Sequence, residues 1–231
     1  MEKIITASNL SDFPRLIHGF TNKELSNDYD LISQEIGVLP SQIYALKQIH
    51  SNQLVCFEKD TELADLPPAD AFVTRQKDVF LGVKTADCVP ILIYEDIVEV
   101  VGAIHAGYNG MLDGIIRNTI HFMCDNMGCK IENMFFAIGP CISAKHYEVG
   151  PEIIETFQQR IGKQVAYYQK AHERPHLDLR QTTTNILEGL GMHPEHVSHI
   201  DMCTFEREDL FYSHRREPQK NRQFSFIGMV S

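Results

Sequence analysis

His50, Cys88 and His105 are the residues whose types could do chemistry together. They lie in Gln48-Ile49-His50-Ser51-Asn52, in Lys84-Thr85-Ala86-Asp87-Cys88-Val89-Pro90, and at the end of Val100-Val101-Gly102-Ala103-Ile104-His105. Each interrupts or closes an apolar stretch, where a purely structural strand has no need of a polar group. Cys88 and His105 also stand beside Pro or Gly turns, where a rigid scaffold commonly displays catalytic residues. Taken singly, a His is most often a hydrogen-bonded structural residue and a Cys a small buried hydrophobe. Taken together, they suit two chemistries. Two imidazoles and a thiolate make a three-ligand zinc set, with a fourth position left for water or a substrate oxygen. Alternatively, Cys88 and His105 form a thiolate–imidazolium pair for covalent catalysis. Spacings of 38 and 17 residues match no compact zinc-finger pattern, so spacing leaves both chemistries open.

A second candidate is electrostatic. His214-Arg215-Arg216-Glu217-Pro218-Gln219-Lys220-Asn221-Arg222 holds four Lys/Arg and one Glu. An arginine fork suits a phosphate, so the segment reads as an anion site or as a surface loop with incidental charge. Other near-motifs fail. Pro140-Cys141-Ile142-Ser143-Ala144 lacks the second Cys of a zinc deaminase, and no His-x-Glu precedes it. His193-Pro194-Glu195-His196 is not the metalloprotease pattern. His172, His176, His193, His196 and His199 read as loop and strand polarity.

The elements that must position these groups are clearest in the middle of the chain. Val79–Val83, Pro90–Tyr94 and Ile97–His105 are short, β-branched apolar runs, nearly continuous and so covered on both faces. Glu95-Asp96 marks a hairpin turn between the last two. A helical pattern runs from Met111 to Met123, and Asn133–Ile138 is a strand. Pro151 starts one further helix; Asp178 caps another, over Leu179–Leu190, which stops at Gly191. Val197–Met202 and Gln223–Val230 read as strands. Paired strands with separated helices indicate an α+β fold. The only seam, Asp60–Asp70, reads as a loop within one domain spanning 1–231.

Composition bounds the partners. Twenty-one Lys+Arg against 31 Asp+Glu in 231 residues gives a net charge of −10, which argues against holding nucleic acid or anionic lipid by bulk charge. The N-terminal residues lack the basic-then-apolar order of a signal peptide. No stretch approaches the roughly 20 apolar residues of a membrane helix. Six dispersed cysteines read as free thiols in a reducing cytoplasm.

A set of segments, in order along nearly the whole chain, carries a family resemblance. They include His18-Gly19-Phe20-Thr21, Gln48–Asn52, Asp70-Ala71, Thr85–Pro90, His105-Ala106-Gly107 and Ile138-Gly139-Pro140-Cys141-Ile142. Tyr147-Glu148-Val149-Gly150, Asp178-Leu179-Arg180, Asp201-Met202-Cys203-Thr204 and Ser213-His214-Arg215-Arg216 follow. The sequence resembles the multicopper polyphenol oxidase (laccase-domain) family, whose members are better described as zinc-dependent purine nucleoside phosphorylases. The resemblance implies one α+β domain with mixed sheets between helices, an α/β/β/α arrangement shared with cysteine-dependent toxin deamidases. It implies His50, Cys88 and His105 as ligands of zinc, with copper the alternative metal. The implied reaction is phosphorolysis of adenosine, inosine or methylthioadenosine to a base and ribose 1-phosphate, with adenosine deamination as a second activity. One three-ligand set is too few for a multicopper oxidase. On residue type and charge, Arg215 and Arg216 are assigned to phosphate, and Asp87 and Asn52 to substrate. The chain acts as a monomer or homodimer on this reading.

Several positions depart from the family pattern. Tyr108-Asn109-Gly110 stands where Trp-Arg-Gly is common, Lys23 where Arg follows the Gly-Phe segment, and His146 where Cys often precedes Tyr147. Phe205-Glu206 replaces a Tyr-Cys pair. The first two changes remove guanidinium groups near the expected site while leaving the three ligands intact.

Overall fold

A computed structural model describes residues 2–58, 61, 66–218 and 221–231. Residues 60 and 62–65 of the expected Asp60–Asp70 seam, and Gln219-Lys220 of the basic segment, lie outside the described residues. The chain opens with strand β1 (Ile4–Ile5), helix α1 (Ser8–Ser11), β2 (Leu16–Thr21), α2 (Tyr29–Ile36), β3 (Ile43–Ala45), β4 (Leu54–Phe57) and β5 (Ala71–Thr74). Then come β6 (Val79–Thr85), β7 (Val89–Glu95), β8 (Val100–Ala106), α3 (Tyr108–Leu112), α4 (Ile115–Met127) and β9 (Met134–Ile138). The remainder is α5 (Pro151–Ile161), β10 (Tyr167–Tyr168), β11 (His176–Leu177), α6 (Leu179–Gly189), β12 (Val197–His199) and β13 (Gln223–Met229).

Two mixed sheets carry the fold. One has the order β1-β2-β13-β6-β3, the other β12-β9-β7-β8-β5-β4. Parallel pairs occur at β3–β6, β4–β5 and β12–β9. The sheets face each other across Leu81, Val83 and Ile227 from the first and Leu92, Val101 and Ala103 from the second. Alternate residues of β7 and β8 (Ile91, Ile93, Val100, Ile104) point the other way, onto Ile115, Ile120 and Met123 of α4, Phe157 of α5 and Leu187 of α6. On the far side of the first sheet, Phe80, Phe224 and Phe226 pack against Leu25 and Ile32. The layers are therefore α/β/β/α, as the resemblance implies. Coverage on both faces explains the unbroken apolar run of β7, where each fully buried Ile contributes about 2 kcal/mol.

Local chemistry sets the element ends. Asp178 caps α6 by accepting from the Gln181 amide at 2.9 Å, and Gly191 (φ +93°) supplies the left-handed stop. Three expectations shift. The helix read from Met111 to Met123 is two helices, broken where Gly114 adopts φ +88°. The β7–β8 turn spans four residues because the Glu95 carboxylate accepts from the Ile97 and Val98 amides at 3.0 and 2.7 Å, so the strand begins at Val100. The strand read as Val197–Met202 stops at His199, where the Met202 amide turns back onto the Ile200 carbonyl at 2.7 Å. All six cysteines are free, as expected from their dispersal, with Cys129, Cys141 and Cys203 buried.

Candidate functional site

The site forms where the chain crosses between the two sheets. β6 belongs to the first sheet and β7 to the second, and Ala86-Asp87-Cys88 is the crossing. In the β7–β8 ladder Pro90 faces His105, which brings Cys88, two residues earlier, beside Gly107, two residues later. His50 arrives from the segment that follows β3. One ligating atom from each of His50, Cys88 and His105 lies within 4.8 Å of the others. The two imidazoles meet edge to face, with ring centroids 4.8 Å apart and planes at 82°. His105 is buried, Cys88 partly buried and His50 exposed, so the group forms the floor of an open depression.

Asp70, fully buried at the start of β5, ties the group together. Its carboxylate accepts from the Ile49, His50 and Ser51 amides at 3.2, 3.0 and 2.7 Å and from the Ser51 hydroxyl at 2.8 Å. It also lies 2.8 Å from His105 Nδ1, and its own carbonyl accepts from the His105 amide at 2.8 Å. One carboxylate thus fixes both the loop that carries His50 and the ring of His105. Burial opposes its ionisation, but hydrogen bonds from His105 and Ser51 outweigh that and hold the carboxyl well below the usual carboxylate range. Two backbone positions are strained at the same place: His50 has φ +58° and Asp87 φ +90°. Such conformations cost about 1–3 kcal/mol each and cluster at functional sites.

The electrostatics follow from the crowding. Burial raises the Cys88 thiol, but His105 and then His50 outweigh it and bring it down to about 6. Burial lowers His105, but Cys88 and Asp70 outweigh it and push it up to about 9. A thiolate facing an imidazolium is the result in the protein alone. Cations fit the same place. A Cβ on Gly107 would lie 3.2 Å from both Cys88 Sγ and His50 Cδ2 and 3.7 Å from His105 Nε2, so glycine keeps the space between the donors clear. Two imidazole nitrogens and a thiolate, with a carboxylate behind one imidazole, are a donor set that could hold a metal ion.

Above this floor is a cavity of about 630 Å³. Tyr108 and Tyr147 give it an aromatic wall, and Lys47, Lys84, Arg215 and Arg222 line it with positive charge. Arg215 lies over the Tyr147 ring, 4.9 Å from its centroid, and donates to the Glu148 carbonyl at 2.9 Å.

The other sequence-derived candidates divide. Asp87 lines the cavity, but its carboxylate accepts from the Thr204 hydroxyl at 2.6 Å, the Ser213 hydroxyl at 3.0 Å and the Arg215 amide at 2.7 Å. It anchors the wall rather than presenting free oxygens. Arg216 points into the protein, its guanidinium donating to the carbonyls of Thr204, Phe205 and Phe211. Asn52 does not line the cavity; its amide donates to the Asp113 carbonyl at the α3–α4 junction. Tyr108 is in the wall, whereas Asn109 is exposed and Lys23 reaches the Glu208 carbonyl at 2.6 Å. The remaining departures answer one another: His146 stacks on Phe205, with centroids 4.5 Å apart, and its Nε2 lies 2.8 Å from Glu206. Sequence reasoning missed the positioning role of Asp70, whose signal was a lone acid abutting the apolar run Ala71–Thr74, and missed Lys47 and Lys84 altogether.

Comparison with known proteins converges on one family. Residues 19–230 match the family model described as multi-copper polyphenol oxidoreductase laccase. The chain is 34% identical over 166 residues to the purine nucleoside phosphorylase YlmD of Bacillus subtilis, an alignment covering 71% of this chain and 60% of that protein. It is 27% identical over 194 residues to the adenosine deaminase RL5 of an unknown prokaryotic organism, covering 80% and 74% of the two chains. The crystal structure of YlmD from Geobacillus stearothermophilus superposes with a TM-score of 0.87 at 21% identity, over 97% of this chain and 94% of that one.

Proposed function

The chain belongs to the multi-copper polyphenol oxidoreductase laccase family, and from that premise we propose that it is a zinc-dependent enzyme cleaving purine nucleosides with phosphate. The observation that carries the reading is the convergence of His50, Cys88 and His105 beneath a cavity lined by Tyr108 and Tyr147 and by Lys47, Lys84, Arg215 and Arg222. Adenosine, inosine or methylthioadenosine would be the nucleoside, with adenosine deamination as a second activity. The purine nucleoside phosphorylase and adenosine deaminase names of two relatives support that pair of reactions. On this reading 1–231 acts as one domain, in the reducing cytoplasm that free thiols suit.

His50, Cys88 and His105 would hold the metal, and when bound it would supply Lewis acidity at the cavity floor. The chain's own residues do the rest. Tyr108 and Tyr147 offer faces for a purine, since base–aromatic stacking needs no particular base. The cationic residues receive phosphate. A phosphate oxygen forms a bond to the ribose C1′ as the C1′–N bond breaks, and the bonding pair leaves with the purine, which takes up a proton. Asp70 keeps the His105 ring and the His50 loop in place throughout. Oxidation of phenols at several coppers would require further ligand groups, and among the described residues only this one triad converges.

Product analysis tests the reading. Zinc-loaded protein given adenosine should release adenine and ribose 1-phosphate only when phosphate is present. Inosine formed without phosphate would assign deamination as the main activity. No turnover of any purine nucleoside under either condition would refute both.

One observation favours a second reading. Asp70 Oδ1, His105 Nδ1 and the neighbouring thiol of Cys88 also follow the order of a carboxylate–imidazole–thiolate hydrolase. Such an enzyme would survive a chelator and lose its activity to a thiol alkylator. The zinc enzyme would lose activity to the chelator and regain it on adding zinc.

A further inference from the structure

Three neighbouring strands of the first sheet, β13, β6 and the edge strand β3, have ends at the cavity, and each carries a cation at or next to that end. β3 and β6 run parallel with Ala45 beside Gly82, and Lys47 and Lys84 each follow two residues beyond that pair. β13 runs antiparallel to β6 with Phe224 beside Lys84, and Arg222 immediately precedes that strand. All three cations line the 630 Å³ cavity. The connection to the floor is short: Lys47 precedes His50 by three residues, and Lys84 precedes Cys88 by four.

Lys47 and Lys84 give this edge positive charge. Among the described residues Asp87 is the only acid in the cavity wall, and donors from Thr204, Ser213 and Arg215 already occupy its oxygens. Neither Lys47 nor Lys84 has an ion-pair partner among the described residues. The Lys84 backbone is fixed at both ends by Gln48, whose amide nitrogen donates to the Lys84 carbonyl at 2.8 Å and whose amide oxygen accepts from the Lys84 N–H at 2.7 Å. Burial draws its ammonium below the usual lysine range, the direction that an approaching anion reverses. The arginines expected to bind phosphate are committed elsewhere: Arg216 to three backbone carbonyls, Arg215 to Tyr147 and Glu148.

We propose that phosphate binds at this strand edge, on Lys84 with Lys47 and Arg222, and not at Arg215-Arg216. The assignment rests on the phosphorolysis reading for its substrate, and it makes Lys84 the specificity-determining residue for the anion. Nucleoside then binds at Tyr108 and Tyr147, so the two substrates bind through different residues.

The test separates this site from the reaction. Full-length zinc-loaded protein is titrated with inorganic phosphate in a calorimeter, and steady-state KM is measured separately for phosphate and adenosine, in wild type, Lys84→Gln, Lys84→Arg and Lys47→Gln. Loss of one charge-assisted contact should weaken phosphate binding and raise its KM about tenfold or more in Lys84→Gln, with KM for adenosine unchanged. Lys84→Arg should recover most of the loss, and Lys47→Gln should show a smaller shift of the same kind. Phosphate binding that is undetectable in wild type, or equal in wild type and both Gln variants, overturns the assignment. Wild type that binds phosphate through Lys84 yet cleaves no nucleoside would keep the site and remove the phosphorolysis reading.

Discussion

Asp70 and His105 are linked twice: carboxylate to ring at 2.8 Å and carbonyl to amide at 2.8 Å. The same carboxylate holds the amides of Ile49, His50 and Ser51. A single buried acid therefore sets the relative position of two residues 55 apart in sequence. Asp70→Asn keeps the shape but turns one acceptor into a donor facing those amides. Zinc affinity, measured by competition with a chromogenic chelator, should fall about 10- to 100-fold. Unchanged affinity would remove Asp70 from the site's support.

Gly107 should tolerate no side chain. Its added Cβ would press on Cys88 Sγ and His50 Cδ2 at 3.2 Å. Overpacking of this kind costs about 1–3 kcal/mol, which at the metal would read as about ten- to hundredfold weaker zinc binding in Gly107→Ala. Far-UV circular dichroism should remain that of wild type. Wild-type zinc affinity in this variant would show that the donors do not close on the space the glycine leaves.

Asp87→Ala removes the acceptor shared by Thr204, Ser213 and the Arg215 amide. Leaving buried donors unsatisfied should destabilise the fold by about 2–4 kcal/mol, measurable by urea unfolding. Asp87→Asn, which keeps acceptor capacity, should lose less. Equal stability of both variants and wild type would deny the anchoring role.

Acid should weaken the protein through a residue far from the cavity. His18 is buried, and burial lowers it to about 4. Its Nε2 accepts the Ala7 amide at 2.9 Å, so protonation would set two N–H groups against each other. The unfolded chain, with an ordinary His near 6.5, binds the proton first. The contribution is therefore complete above about pH 6.5 and lost as pH falls towards about 4, amounting to about 3 kcal/mol. Urea midpoints at pH 7 and 4.5 should show the fall, and His18→Gln should flatten it. An identical slope in wild type and variant would assign the effect to other groups.

How much of this was readable in sequence depended on how local the signal was. β6, β7, β8 and β13 announced themselves because burial on both faces demands continuous apolar runs, and α6 because Asp178 and Gly191 bracket it. The break at Gly114 and the four-residue turn after Glu95 were not readable, since each follows from a backbone angle or a carboxylate bonding its own turn. The short strands β1 and β3 owe their pairing to neighbours distant in sequence, β2 and β6, so no local pattern marks them. At the site, residue type pointed to His50, Cys88 and His105. Charge alone pointed to Arg215 and Arg216, and only tertiary structure separates the arginine in the cavity wall from the half-buried one bonded to backbone carbonyls. Lys47 and Lys84 carry no signature by themselves; the pairing of β3 with β6 brings their two segments to one cavity.

The measurement closest to the central claim pairs metal content with product in Cys88→Ala and wild type. The claim predicts near-stoichiometric zinc and phosphate-dependent release of adenine from adenosine in wild type. Cys88→Ala, folded by circular dichroism, should lose both together. Adenine released at the wild-type rate by Cys88→Ala or by metal-free protein would contradict it.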